Sequence, residues 1–220
     1  MPDVALRGPA GHLVARHDPP EAPPPQRGPL AAVVCHPHPL FGGTLENKVV
    51  HAVARALREG GLHVLRFNFR GAGGSDGRHD TGAGEVDDAR AALDRVVELA
   101  GPAAGAPGRL LVAGYSFGSF VGLTAALSDA RVGARLAVAP PVSFYDYAAI
   151  AADERPLAVI YAPGDEIVPA ALVERWIAGC ARPPRVFAVH GTGHEFHGKV
   201  HEVRAATATF LADLSRAPAA

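Results

Sequence analysis

Cysteine and unbroken apolar sequence are both scarce in this chain. Only Cys35 and Cys180 occur among the 220 residues, and two isolated thiols are expected to be reduced core side chains rather than a disulfide. No apolar run reaches the length of a membrane span, and residues 1–16 place Asp3 and Arg7 where a signal peptide needs an apolar core. These absences predict a soluble, cytoplasmic protein with no membrane partner.

The chain also lacks an excess of charge of either sign. Lys and Arg number 21 against 22 Asp and Glu, which gives a formal net charge of -1. A balance this even provides no field to attract nucleic acid, so we expect no nucleic-acid partner and only local recognition of a small molecule. A length of 220 residues that are 48% hydrophobic suits one domain over residues 1–220.

Short apolar runs alternate with amphipathic segments through most of the sequence. Residues 4–7 and 12–17 flank a Gly-Pro-Ala-Gly turn and predict an N-terminal antiparallel hairpin, after which the proline-rich residues 18–25 form an exposed loop. Strands are then predicted over 31–35, 63–67, 109–114, 134–139, 158–161 and 185–189, with helices over 47–59, 85–100, 117–127, 170–178 and 197–214. This alternation predicts a doubly wound α/β fold, a mostly parallel sheet covered on both faces.

The segment Gly114-Tyr115-Ser116-Phe117-Gly118 follows the predicted strand 109–114 and begins a predicted helix. A serine on such a sharp turn projects above the sheet, and the flanking glycines remove the Cβ atoms that would clash. The N–H of Phe117, at the helix N-terminus, is then free to donate. The G-x-S-x-G pattern in this position predicts that Ser116 is a nucleophile.

An acid and a histidine follow later strands, at the same carboxyl edge of the sheet. Asp165 follows the strand 158–161, and His194 follows the strand 185–189. A serine needs a base to take its proton, and that base needs a carboxylate to orient it, so the order Ser116, Asp165, His194 predicts a catalytic triad. Glu166 is the alternative acid.

Two further histidines compete with His194 for the role of the base. His190 precedes it in the same loop, whereas His197 is expected to begin the following helix. The spacing of His190, His194, His197 and His201 is also compatible with a metal site, but no acid or cysteine is obviously paired with them, so we predict no metal. The glycine-rich segment 71–77 lacks the register of a nucleotide-binding loop, and we interpret it as a turn beside the active site.

The loop Cys35-His36-Pro37-His38-Pro39-Leu40-Phe41-Gly42-Gly43-Thr44 follows the first central strand. Acyl transfer passes through an oxyanion, and each backbone N–H that holds it contributes about 3 kcal/mol. Prolines have no N–H, so the donor from this loop is predicted to be His38 or, as the alternative, Leu40. A rigid proline-rich turn explains the same residues, and the two interpretations are compatible.

Taken together, these motifs resemble the α/β-hydrolase superfamily, in particular its compact, lidless, dienelactone-hydrolase-like bacterial members. The resemblance rests on C-H-P-H-P-L-F-G-G-T, R-F-N-F-R-G-A-G-G-S-D-G, G-Y-S-F-G, P-G-D-E-I-V-P and G-T-G-H-E-F-H-G. It implies Ser116 as nucleophile, Asp165 as acid, His194 as base, and Phe117 and His38 as oxyanion donors. Family members often have H-G-x where this chain has His36-Pro37-His38.

The eighteen residues 140–157 leave no room for a large lid. An open site predicts a serine hydrolase that cleaves small soluble carboxylic esters without a cofactor; a thioesterase, a lactonase, a peptidase or a non-catalytic binding protein of the same fold are the alternatives. The sequence leaves the protein as a monomer or a homodimer. Five aromatic residues are candidates to line an acyl pocket or simply to pack in the core: Phe41, Phe117, Phe144, Tyr145 and Tyr147.

Overall fold

A computed structural model describes residues 3–216 of the chain and shows an eight-stranded sheet. The strands are β1 (Asp3–Gly8), β2 (Gly11–Asp18), β3 (Ala31–Cys35), β4 (His63–Phe67), β5 (Leu110–Tyr115), β6 (Val132–Val138), β7 (Leu157–Tyr161) and β8 (Arg185–Ala188). Their order across the sheet is β1-β2-β4-β3-β5-β6-β7-β8. β1 and β2 form an antiparallel hairpin that pairs antiparallel with β4, and the other neighbours pair in parallel. The predicted sheet and hairpin are confirmed.

Helices cover both faces of this sheet. They are α1 (Lys48–Glu59), α2 (Ala83–Ala100), α3 (Phe117–Ala126), α4 (Ala148–Ala152), α5 (Ala170–Ala178) and α6 (Val200–Arg216). Side chains of α1 and α6 pack in the core on one face, and those of α2, α3, α4 and α5 pack in the core on the other. The fold is therefore doubly wound, as predicted. Within residues 3–216, no helix combines the length and apolarity needed to cross a membrane.

The central strands and the helices that cover them follow from local sequence. Every residue of β3 and of β5 is buried, because both strands are apolar and have helices on both sides. The side chain of Asn47 accepts a hydrogen bond from the Val49 N–H and so caps α1. The carboxylate of Glu85 accepts from the Asp80 and Gly82 N–H groups and satisfies two donors at the start of α2.

The last helix begins later than its sequence pattern predicts. α6 starts at Val200, and His197 precedes it, because Phe196 and Gly198 both have positive φ angles, of 52° and 71°, which a helix does not allow. His197 therefore lies outside the helix, contrary to our expectation that it begins the helix. Between β6 and β7 the described chain has only the short α4, which confirms that there is no large lid.

A buried ion pair ties the N-terminal hairpin to the central sheet. Asp18, at the end of β2, accepts two hydrogen bonds from the Arg66 guanidinium on β4, at 2.7 and 3.2 Å. Both side chains are almost fully buried, and Arg66 also donates to the Leu45 carbonyl in the loop that precedes α1. Removing one member of a buried ion pair strongly destabilises the folded protein, because the remaining charge loses its compensation.

We expect Asp18→Asn to lower the free energy of unfolding by about 3 kcal/mol, because it removes the buried ion pair between the Asp18 carboxylate and the Arg66 guanidinium. Asp3→Asn is the matched control, since the Asp3 carboxylate is paired with Arg16 but largely exposed; a loss below about 1 kcal/mol is expected there. Urea denaturation of the two variants and the wild type measures both. Equal midpoints for the two variants would contradict this account of the hairpin.

Candidate active site

Ser116 occupies the sharp turn between β5 and α3. Its backbone has φ 52° and ψ −125°, a conformation that costs free energy for a residue with a side chain and is held by its surroundings. A Cβ on Gly114 would lie 2.2 Å from the Gly118 carbonyl oxygen, and a Cβ on Gly118 would lie 2.4 Å from the carbonyl oxygens of Cys35 and His36. Glycine is therefore required at both positions, and the turn is pressed against the end of β3.

The structure brings Ser116, His194 and Asp165 into one hydrogen-bonded chain. The Ser116 hydroxyl lies 3.0 Å from His194 Nε2, and His194 Nδ1 lies 2.7 Å from an Asp165 carboxylate oxygen. A carboxylate only accepts, so Nδ1 carries a proton and Nε2 is left as the acceptor for the hydroxyl. His194 and the Asp165 carboxylate are both buried. This is the arrangement in which a histidine can take a proton from a serine.

Asp165 is held as a carboxylate by three hydrogen-bond donors. Burial opposes its ionisation, but the hydrogen bond from His194 and those from the Val168 and Ile167 N–H groups outweigh that effect and lower its pKa below the ordinary value. The two N–H groups reach its second oxygen, each at 2.8 Å. With both oxygens bonded, the carboxylate has a fixed orientation towards the imidazole.

The backbone of His194 is bound on both sides by residues whose positioning role the sequence did not reveal. Its N–H donates to the Glu166 carboxylate at 3.1 Å, and its carbonyl oxygen accepts from the Tyr115 hydroxyl at 3.0 Å. Glu166 therefore contacts the histidine main chain, while Asp165 contacts the ring. Tyr115, which precedes Ser116 in the motif, was the one sequence signal for this positioning role. Its hydroxyl contact, however, is with a loop 79 residues away, which the local sequence does not indicate.

The other candidate histidines lie outside this chain of hydrogen bonds. His190 is exposed, and the side chains of His197 and His201 are 76% and 72% exposed. His197 instead contacts Lys48 and Glu195. Within residues 3–216, no group of three or more His, Cys, Asp or Glu side chains could hold a metal ion.

Two backbone N–H groups beside Ser116 are available to an oxyanion. Phe117 begins α3, so its N–H has no acceptor within the helix. Within residues 3–216, the His38 N–H also donates to no protein acceptor. The Leu40 N–H, in contrast, donates to His38 Nδ1 at 3.2 Å. Of the two donors that the sequence left open in this loop, Leu40 is therefore engaged and His38 is free.

A buried histidine braces the loop that carries His38. His36 Nδ1 lies 2.6 Å from the Pro37 carbonyl oxygen, and its Nε2 accepts from the Phe69 N–H at 2.9 Å. Burial lowers the pKa of His36 to about 4, so the ring is neutral at neutral pH, with the proton on Nδ1. No local pattern in the sequence pointed to this role of His36.

Ser116 opens into a cleft of about 520 Å³ whose wall is largely aromatic. Four of the five aromatic residues considered from the sequence line it, namely Phe41, Phe117, Phe144 and Tyr145. Tyr147 does not: it is buried, its hydroxyl lies 2.8 Å from Ser119 Oγ, and its ring packs edge-on against Trp176. Of the two interpretations for these aromatic residues, packing in the core is therefore the one that applies to Tyr147.

The glycine-rich segment 71–77 packs against the N-terminal hairpin. Asp76 N–H donates to the His12 carbonyl and Asp76 carboxylate accepts from the His12 N–H. Ser75 Oγ accepts from the Val14 N–H and donates to the Asn68 carbonyl, while the Asn68 side chain accepts from the Leu45 N–H. These bonds hold the segment as a turn that links the hairpin to the loop after β3.

Comparison with solved structures yields neighbours over nearly the whole chain. An α/β serine hydrolase homologue from Coxiella burnetii is 34% identical with a TM-score of 0.85, over 94% of this chain and 96% of that one. A lidless α/β serine hydrolase from Xanthomonas campestris is 36% identical with a TM-score of 0.85, over 99% and 96%. An uncharacterised protein of Rickettsia prowazekii is 37% identical over 173 residues, which are 77% of this chain and 69% of that protein. No protein-family model matches the chain.

The bond between Asp165 and His194 Nδ1 is expected to give a strongly deshielded imidazole proton in the ¹H NMR spectrum. Asp165→Ala should abolish this resonance, because the ring loses its carboxylate acceptor. Glu166→Gln is the control and should retain it, since Glu166 contacts only the backbone of His194. Loss of the resonance in Glu166→Gln alone would mean that Glu166 is the acid that faces the ring.

Proposed function

The chain belongs to the α/β-hydrolase superfamily, and from that premise we propose that it hydrolyses small carboxylic esters through an acyl-enzyme on Ser116. The observation that carries the proposal is the chain of hydrogen bonds from Ser116 Oγ to His194 and on to Asp165. Ser116 also lines an open cleft, next to the free N–H groups of Phe117 and His38. The likeness to α/β serine hydrolases over nearly the whole chain supports the same reaction class.

The first half of the reaction transfers the acyl group to the enzyme. Ser116 Oγ attacks the ester carbonyl carbon while its proton passes to His194 Nε2. The carbonyl oxygen becomes an oxyanion, which the N–H groups of Phe117 and His38 bind. When the tetrahedral intermediate collapses, the bond to the alcohol oxygen breaks, and that oxygen takes the proton from His194.

The second half releases the acid. His194 Nε2 takes a proton from water, and the hydroxide adds to the acyl carbon at the same oxyanion site. Collapse breaks the bond to Ser116 Oγ, which recovers the proton from His194. Asp165 stays ionised throughout and stabilises the imidazolium in both halves. Three hydrogen bonds outweigh the effect of burial and lower the pKa of the Asp165 carboxyl group, which suits that role.

We expect a fluorophosphonate to add once to the folded wild type and not to Ser116→Ala, as measured by intact mass. Ser143→Ala is the matched control, because Ser143 is exposed beside the cleft residue Phe144 and its hydroxyl makes no hydrogen bond to a base within residues 3–216. That variant should still take the adduct. Absence of an adduct on folded wild type would favour a non-catalytic binding protein of this fold.

Steady-state hydrolysis of p-nitrophenyl acetate tests the base. His194→Ala should lower kcat by several orders of magnitude, on the order of 10⁴, since among residues 3–216 only His194 Nε2 is in position to accept the Ser116 hydroxyl proton. His190→Ala and His197→Ala should change kcat by no more than a few-fold, because neither ring lies in the hydrogen-bonded chain. A large loss in either control with turnover retained in His194→Ala would move the base to another histidine.

A further inference from the structure

Large apolar side chains are exposed almost exclusively around the mouth of the candidate active site. Within residues 3–216 there are five: Leu40, Phe41, Phe144 and Ile167, which we call the apolar rim, and Val186. The rim residues come from three loops, after β3, β6 and β7, and Phe41 is 87% and Phe144 64% exposed. Convergence of three loops on one exposed apolar surface marks a binding site, because scattered exposure would need no explanation.

The rim is continuous with the aromatic wall beside Ser116. Ring centroids are 4.9 Å apart between Phe41 and His38, 4.8 Å between His38 and Phe117, and 5.7 Å between Phe117 and Tyr145. Burial and the neighbouring His79 lower the pKa of His38, which favours the uncharged ring. A continuous series of ring contacts thus runs from Tyr145 through Phe117 and His38 out to Phe41, and Phe144 lines the same cleft.

Another part of the lining is polar. Asn47, His194 and Glu195 line the same cleft, and the Lys48 amine lies 3.8 Å from the Glu195 carboxylate. The leaving alcohol oxygen must come within hydrogen-bond reach of His194 Nε2, where it collects its proton. The alcohol part of an ester therefore starts among these polar groups, and the ring surface is left for the acyl part.

We propose that the aromatic wall and the rim residues Phe41 and Phe144 bind an apolar acyl chain, so that the substrates are esters or thioesters of medium-chain apolar acids with a polar leaving group. This inference rests on the proposed hydrolase function. On this proposal the rim is exposed in the free protein because the acyl chain that covers it enters with the substrate and leaves with the acid product. A chain long enough to cross from Ser116 to the rim covers Phe41 and Phe144, which acetate does not reach.

The test is a series of p-nitrophenyl esters from acetate to octanoate, kept below the concentrations at which they form micelles. Full burial of each added CH₂ gives about a 4-fold rise in kcat/KM, equivalent to about 0.8 kcal/mol. The rim is partly open, so the wild-type ratio of kcat/KM for octanoate over acetate is expected to be at least about 10. Phe144→Ser and Phe41→Ser should each lower this ratio several-fold. Both side chains are exposed, so neither change disturbs the core.

Val186→Ser is the matched control, since Val186 is an exposed apolar residue on β8 that does not line the cleft, and it should keep the wild-type ratio. A flat or falling series in wild type, with acetate turnover that still depends on Ser116, overturns the acyl site and leaves the hydrolase proposal standing. A dimer that Phe144→Ser converts to a monomer without changing the ratio also overturns it, because the rim would then bind a second copy. No turnover on any ester and no fluorophosphonate adduct would remove both proposals.

Discussion

The tight turn at Ser116 is the constraint on which the site depends. Ser116 has a positive φ at the junction of β5 and α3, and Gly118 lies so close to β3 that a methyl group would overlap the Cys35 and His36 carbonyls. That contact sets the position of the loop that carries His38 relative to the N-terminus of α3. The two N–H groups of Phe117 and His38 are thus placed by backbone packing in the centre of the sheet, where little movement is possible.

A second set of contacts brings the distant histidine to this turn. His194 lies on a loop after β8, at the opposite edge of the sheet from the hairpin, and its main chain is bound by Tyr115 and Glu166. Tyr115 precedes Ser116, and Glu166 follows Asp165, so the residues next to the serine and the acid hold the backbone of the histidine. The ring is oriented by Asp165, and the loop by its two neighbours.

The absence of a large lid gives the cleft its chemical character. α4 contributes only five residues between β6 and β7, Ser116 lines an open cleft, and in the described part of the chain the loops after β3, β6 and β7 form its mouth. Their aromatic and aliphatic side chains are exposed, whereas the other large apolar side chains in the described range, apart from Val186, are buried or only partly exposed. The apolar surface that a lid would cover is left for a substrate to cover.

The candidate site follows from sequence as far as strand ends determine it. Ser116, Asp165 and His194 each come just after a parallel strand, and the carboxyl ends of such strands meet at one edge, so their proximity was predictable. The fold was also predictable from sequence, because the apolar β3 and β5 can be buried only between two helical layers. The catalytic roles of Ser116, Asp165 and His194 stay predictions, which the hydrogen-bond geometry supports.

What the tertiary structure alone decided is where side chains point. His190 and His197 compete with His194 for the role of the base in the sequence, but of the three only the His194 ring faces Asp165 and Ser116. The positive φ angles at Phe196 and Gly198 turn the chain and delay α6 until Val200, which leaves His197 outside the helix. Likewise Tyr147 packs inward while Phe144 faces solvent. Strand and helix periodicity is local in sequence, but the direction of a loop side chain depends on contacts from distant parts of the chain, and no local pattern records them.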